Sequence, residues 1–244
     1  MFINIILLIL SAGLPYYLVL EKSKKMNSQN IFLLSSFLLL CAIIMSSFLP
    51  THYHSTLIII SLLNSIFSVY KATQTTNFYK LGYYLLFINA PFFMLFIEEQ
   101  GNLYSLSLLI TLGGVYSIAK HYEKHYGSAN YHGISGTTLA TPYLGTFLTL
   151  YLVTLSLYPP FPNALFMFSN MIKTQNTLLL YIVVVILFFS NFILAMRVLA
   201  RTVFGKPNSH LHYVDFTSLQ KTLHFTLLLA LLILSAIGFK GAIA

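Results

Sequence analysis

Residues 177–200 read TLLLYIVVVILFFSNFILAMRVLA, an apolar run in which the only charge is Arg197, close to the end. A helix rising 1.5 Å per residue needs about 20 such residues to cross roughly 30 Å of hydrocarbon. A backbone in lipid must also satisfy its own hydrogen bonds, which a helix does. The run therefore reads as a membrane span. Working outward, seven further apolar runs lie at about 2–20, 30–49, 55–71, 81–98, 102–119, 138–158 and 222–240. The connections between them, the longest near 120–137, 159–176 and 202–221, leave no room for a soluble domain. The expected fold is all-α: a polytopic transmembrane bundle of about eight spans, forming one domain over 1–244. Composition agrees, with 57% hydrophobic and 7% charged residues, where soluble domains carry about 25% charged.

The first run is apolar from Phe2 and has Lys22, Lys24 and Lys25 behind it, which reverses the charge order of a cleavable signal peptide. It is expected to be a span, in preference to a leader cut near Ser11 to Gly13. Lysine and arginine in short loops set orientation. The first, third, fifth and seventh connections take Lys22, Lys24, Lys25, Lys71, Lys80, Lys120, Lys124, Arg197, Arg201, Lys206 and Lys221, which is 11 of the 13 basic residues. The opposite side keeps Lys173 and Lys240, with Glu98 and Glu99 at one turn. Both termini are thus expected outside. The net charge of +8 is accounted for by topology and gives no sign of a nucleic-acid partner, which would call for a clustered basic face. Tyr16, Tyr17, Tyr79, Tyr83, Tyr84, Tyr122, Tyr126 and Tyr131 crowd the expected span ends, as an interfacial aromatic belt would.

An ionisable group at the bilayer centre costs about 2.5–3.5 kcal/mol on insertion scales and usually marks function. The expected span centres hold none. Arg197 and His224 lie partly inside, and Asn64, Asn89, Thr111, Thr149, Thr154, Ser156, Asn170, Ser190 and Asn191 are expected to glue helices together. Asn89 beside Pro91 raises the further expectation of a broken helix with freed carbonyls. His121 and His125, four apart, and His210, His212 and Asp215 have metal-ligand spacing in part. The first pair sits in Lys120-His-Tyr-Glu-Lys-His-Tyr126, which reads as a solvated face, and His52 and His54 fare no better. No metal or cofactor is expected, and Cys41 reads as packing. Pro159, Pro160 and Pro162 stop the sixth span, so that 161–173 is expected to form a half-helix too short to cross.

Two stretches carry a family resemblance. One runs from Tyr131, His132, Gly133 through Thr141, Pro142 to Leu155, Ser156, Leu157 and Pro159, Pro160, Phe161. The other runs from Arg197, Val198, Leu199 to Val203, Phe204, Gly205, Lys206, Pro207. Their order and spacing resemble the C-terminal part of the proton-conducting antiporter-like subunits of respiratory complex I, Mrp-type antiporters and membrane-bound hydrogenases. On this basis 1–130 are divergent helices, 131–215 the antiporter-like helices and 216–244 the last span. The resemblance implies residence in a bacterial inner membrane beside a larger antiporter-like subunit. In complexes for inorganic carbon it also implies a large soluble zinc-containing protein resembling carbonic anhydrase. The chain departs from the family where conducting members carry Lys or Glu after the Pro-Pro-Phe turn. Counting from Pro159 places Met167 or Phe168 there.

The expectation is therefore a membrane subunit of a proton- or cation-translocating complex, supporting a larger subunit, in bicarbonate or CO2 uptake or a complex I-like assembly. Candidates for an ion path or an interface are Arg197, Lys173, His224, Asn89, Asn170 and His132. A self-contained small-solute transporter or channel is the alternative. A membrane enzyme would need clustered acids or histidines from a chain with five acids in all.

Overall fold

The computed structural model describes residues 2–23, 26–48, 55–96, 98–173 and 177–243. Lys24, Lys25, His52 and His54 lie outside them. The described residues form eleven helices: α1 (Phe2–Leu10), α2 (Tyr17–Lys22), α3 (Ser28–Phe48), α4 (Ser55–Gln74), α5 (Phe78–Leu95), α6 (Glu98–Tyr126), α7 (Thr137–Ala140), α8 (Pro142–Leu155), α9 (Pro162–Lys173), α10 (Leu178–Thr202) and α11 (Ser218–Ile243). Five of them, α3, α4, α6, α10 and α11, are long and apolar enough to cross a membrane. The chain is a helical bundle with the build of a multi-pass membrane protein, and five helices meet the criterion where eight spans were expected.

The other three expected spans differ for local reasons. Run 2–20 is two helices. Ala12 has φ +63°, Pro15 cannot continue a helix, and a Cβ on Gly13 would meet Leu8 Cδ1 at 2.4 Å. The segment still runs along α4: Asn64 Nδ2 donates to Ala12 O at 3.0 Å, and the Tyr17 and Ser68 hydroxyls are 3.1 Å apart. Run 138–158 is interrupted at Thr141, since the residue before a proline is pushed out of the α region, leaving α8 with 14 residues. Run 81–98 begins earlier, at Phe78, because the Asn77 side chain accepts from the Tyr79 and Lys80 N–H groups. Its 18 residues include three tyrosines, Lys80, Asn89 and Pro91, which dilute its hydropathy. α9, with 12 residues, spans about 18 Å at helical rise and is too short to cross.

α5 lies at the centre, packed on α3, α4, α6 and α10, and α6 beside it packs on α3, α8, α9 and α11. The outer helices turn large apolar side chains outward and bury small and polar ones beside apolar ones, unlike those of a water-soluble protein. On α4 the buried face holds Ser61, Asn64, Ser65 and Ser68, while Leu63 and Ile66 face outward. On α3, Ser35 is buried and Phe37 and Ile44 are more than half exposed. Polar side chains inside and apolar ones outside is the arrangement a hydrocarbon solvent selects, where helix contacts rest on small and polar residues.

The chain alternates between two ends. At one end Tyr131 N donates to Thr76 O and Phe78 N to Ala129 O, both at 2.9 Å, around an isolated bridge between Asn77 and Asn130. At the same end Tyr213 OH donates to Ser135 O at 2.8 Å. At the other end Ser46 Oγ donates to Asn102 Oδ1 at 2.7 Å and Ser169 Oγ to Gly241 O at 2.9 Å. The connections assigned most of the basic residues thus meet at one end.

Candidate functional site

An open cavity of about 510 Å³ lies at this basic end, lined by residues of three connections, among them Glu21, Ser28, Gln29, Asn77, Tyr79, Lys80 and Glu123. The Asn77 cap starts α5 so that Tyr79 lines the cavity, and Tyr83 and Tyr84 meet Glu21 of its wall. An ionised carboxylate is acceptor-only, so the phenols donate. Tyr83 OH and Tyr84 OH reach Glu21 Oε1 at 2.5 and 2.7 Å, and Tyr79 OH reaches Glu123 Oε2 at 2.8 Å. Gln29 Nε2 donates to Tyr116 OH at 2.8 Å. Two of the five acids therefore sit at one cavity, held by tyrosines. This corrects the aromatic belt: Tyr17, Tyr79, Tyr83, Tyr84, Tyr122 and Tyr131 are buried inside the bundle. The hydroxyls of Tyr17, Tyr79, Tyr83, Tyr84 and Tyr131 find partners from distant segments, which sequence position alone did not reveal, while that of Tyr122 has none among the described residues. The readable signal was Tyr79, Tyr83 and Tyr84 at i, i+4 and i+5 in a chain so short of acids.

Arg197 acts as a clamp. Its guanidinium donates to the carbonyls of Ala72 at 2.7 Å, Thr75 at 3.2 Å and Thr73, and to Tyr131 OH at 3.0 Å. These carbonyls end α4, where a helix presents unpaired acceptors and partial negative charge. Tyr131 OH in turn donates to Thr75 O at 2.9 Å. Burial pushes the Tyr131 phenol pKa above its ordinary value, and the Arg197 guanidinium opposes this in part. Farther along, Thr137 and Thr138 hydroxyls donate to Thr202 O and Val203 O at 3.1 and 2.7 Å, capping α10. Gly136, at φ +64°, lies so close that a Cβ would meet Pro207 N at 2.6 Å. The two stretches that carry the resemblance are thus knitted to each other.

At mid-depth Asn89 of α5 and Asn191 of α10 exchange amide hydrogen bonds at 3.0 and 2.9 Å, and Tyr104 OH of α6 donates to Asn89 Oδ1 at 2.7 Å. Contrary to expectation, α5 continues across Pro91 without a break. The carbonyl that loses its donor at Pro91 is that of Phe87; near it Leu85 O accepts from Asn89 Nδ2 and Ile88 O from Ser65 Oγ, each at 2.8 Å. The role of helix glue holds for Asn64, Asn89 and Asn191. The hydroxyls of Thr111, Thr149, Thr154 and Ser190 bond the carbonyl four residues back in their own helix and that of Ser156 bonds Val153 O, so what these residues offer a neighbouring helix is small size and not a hydrogen bond. In α9, Asn163 Oδ1 accepts from Ser107 Oγ, while its Nδ2 has no partner among the described residues. Asn170 Nδ2 donates to Phe166 O at 2.9 Å. Met167 is buried and Phe168 faces outward.

His224 is fully buried, stacked on Phe147 and Phe216 with ring centroids at 5.0 and 4.5 Å. Its Nδ1 lies 2.9 Å from Tyr151 OH, and its Nε2 has no partner among the described residues. The face around His121 is not wholly solvated. That ring is buried, donates from Nε2 to Val214 O at 2.9 Å and accepts from Gln220 Nε2 at 3.2 Å. A neutral imidazole satisfied on both nitrogens has no lone pair left for a metal. Asp215 caps α8 through the Tyr143 and Leu144 N–H groups, and His210 and His212 are exposed. Lys173 is exposed at the end of α9 and His132 at the surface of the loop after α6. The six candidates therefore do not form one site: Arg197 ends α4, Asn89 joins three central helices, Asn170 and Lys173 belong to α9, His224 to α11 and His132 to a loop. Among the described residues no three His, Cys, Asp or Glu side chains gather as metal ligands. Comparison with family models gives no match, and comparison with curated proteins gives none either.

Proposed function

We propose that the chain is a membrane subunit of a proton- or cation-translocating complex, in which it supports a larger antiporter-like subunit and does not itself conduct. The observation that carries this reading is the closed polar core. Asn89, Asn191 and Tyr104 direct their polar groups at one another and at their own helices. A proton or cation path at that depth needs ionisable or hydrated groups. Met167 and Phe168, one of which stands where the resembling family carries its Lys or Glu, are both apolar, the first buried and the second facing outward, which supports the same conclusion. The contact between the Tyr131 to Thr138 and Arg197 to Pro207 stretches supports treating them as one unit of antiporter-like ancestry. Bicarbonate or CO2 uptake and a complex I-like assembly are the two settings the reading allows, the first with a soluble zinc-containing partner.

Gathering of the basic connections at one end supports an inner-membrane orientation with that end cytoplasmic, both termini outside and about eight passes. The α1 and α2 segment would then be one interrupted pass. The test is purification from the native host in mild detergent. A larger antiporter-like subunit should come with the chain, and a chain that is isolated alone and active would refute the reading. One observation favours the alternative of a self-contained transporter, the cavity at Glu21 and Glu123, which is open at one end. Solute flux in liposomes of the pure protein would establish that alternative.

A further inference from the structure

The outer face of the bundle carries a groove between α8 and α11 that has no part in the clamp, the core or the tyrosine cavity. It encloses about 370 Å³, and its walls are apolar: Phe147 and Leu150 on one side, Phe225 and Leu228 on the other. From Tyr143 to Leu150 it follows α8 for about 10 Å at helical rise. Its mouth lies at the basic end. There Lys221 Nζ stands 3.5 Å from the centroid of the Tyr143 ring. Asp215 lies at the same mouth, but its carboxylate accepts from the N–H groups of Tyr143, Leu144 and Phe216 at 3.2, 3.0 and 2.8 Å. That acid is matched by the positive end of the α8 dipole, which leaves Lys221 as the charge presented at the mouth.

We propose that this groove binds an anionic phospholipid, one acyl chain lying on Phe147, Leu150, Phe225 and Leu228 and the phosphate held by Lys221. Charge complementarity selects this occupant. An apolar helix of a partner would fill the groove without needing a cation at its mouth, whereas a lipid of this class needs both parts at this spacing. The Tyr143 ring holds the ammonium over the mouth by a cation–π contact, so the charge is positioned before the lipid arrives.

The chain contains no tryptophan, so Phe225→Trp places a single indole in the groove. The purified variant is put into mixed phosphatidylcholine and phosphatidylglycerol vesicles, with bromine on the acyl chains of one lipid or of the other, and indole quenching is read. The expected result is a preference for phosphatidylglycerol of about fivefold, the worth of one lysine at an anionic surface. Adding Lys221→Gln should abolish it, Lys221→Arg should keep it, and Lys206→Gln, which removes the same charge from an exposed position in the connection between α10 and α11, should leave it unchanged. Equal quenching by the two lipids, or quenching by neither, overturns the proposal. So does an equal loss with Lys206→Gln, which would mean diffuse surface potential instead of a site.

Discussion

Replacing Arg197 by leucine separates a clamp from an ion-path residue. The guanidinium meets three carbonyls at the end of α4 and one phenol. A hydrogen bond to a charged group is worth about 1.5–3 kcal/mol when buried, and a cation at a helix C-terminus about 0.3–1 kcal/mol. The group is half-buried at the end of the bundle, so water can reach part of what it leaves. The expected loss is accordingly about 2–4 kcal/mol in total, well under the sum of the parts. On the scale of soluble domains of this size, where 1 kcal/mol moves the midpoint by about 2–4 °C, this lowers thermal unfolding by roughly 5–15 °C. Arg197→Lys keeps the charge without the planar fork that serves several acceptors at once, and should fall between. The assay is a thermal scan of the detergent-solubilised chain, paired with flux through the purified complex. An Arg197→Leu chain that melts like the parent while the complex loses flux would refute the clamp and return Arg197 to the ion path.

Three further outcomes follow from the packing. In a double-mutant cycle, Asn89→Ala and Asn191→Ala should show a coupling of about 0.6–1.7 kcal/mol, the range of interhelical hydrogen bonds in membranes, and strict additivity would contradict the amide pair. Adjacent glycines of α6 should respond oppositely in the same thermal scan. Gly113→Ala has open space and should stabilise by roughly 0.5–1 kcal/mol, whereas a Cβ on Gly114 meets the Tyr151 ring at 2.2 Å and should cost about 1–3 kcal/mol. Met167→Lys should reduce folded yield and add no proton flux to the isolated chain, because the position is buried and a charge there must be desolvated. Recovered flux would mean that the conducting path is intact.

Legibility in the sequence followed the range of the interaction that decides each feature. Runs such as 177–200 identified themselves, since length and hydropathy are local. The short α9 was readable from its three prolines for the same reason. The break between α1 and α2 was signalled by Gly13 and Pro15, but Ser11 to Leu14 are small or apolar and fit a continuous span, and the approach of Gly13 to Leu8 and the left-handed Ala12 show where the helix stops. Pro91 misled in the other direction: whether a proline breaks a membrane helix depends on how the surrounding helices hold it, and α5 is packed on α3, α4, α6 and α10. The tyrosines were misassigned because a phenol at a span end and a phenol turned inward look identical until Glu21, more than sixty residues from Tyr84 along the chain, is brought beside it. Arg197 was singled out correctly as a partly buried charge, but its partners at Ala72 to Thr75 come from a different part of the chain.

The measurement that bears most directly on the central claim is proton and cation flux in liposomes, made in parallel on the isolated chain and on the assembly purified with it from the native host. Flux is expected through the assembly and, for the isolated chain, none above protein-free vesicles, because Asn89, Asn191 and Tyr104 bond one another in the core and neither Met167 nor Phe168 carries a proton. Saturable flux through the isolated, folded chain would contradict it.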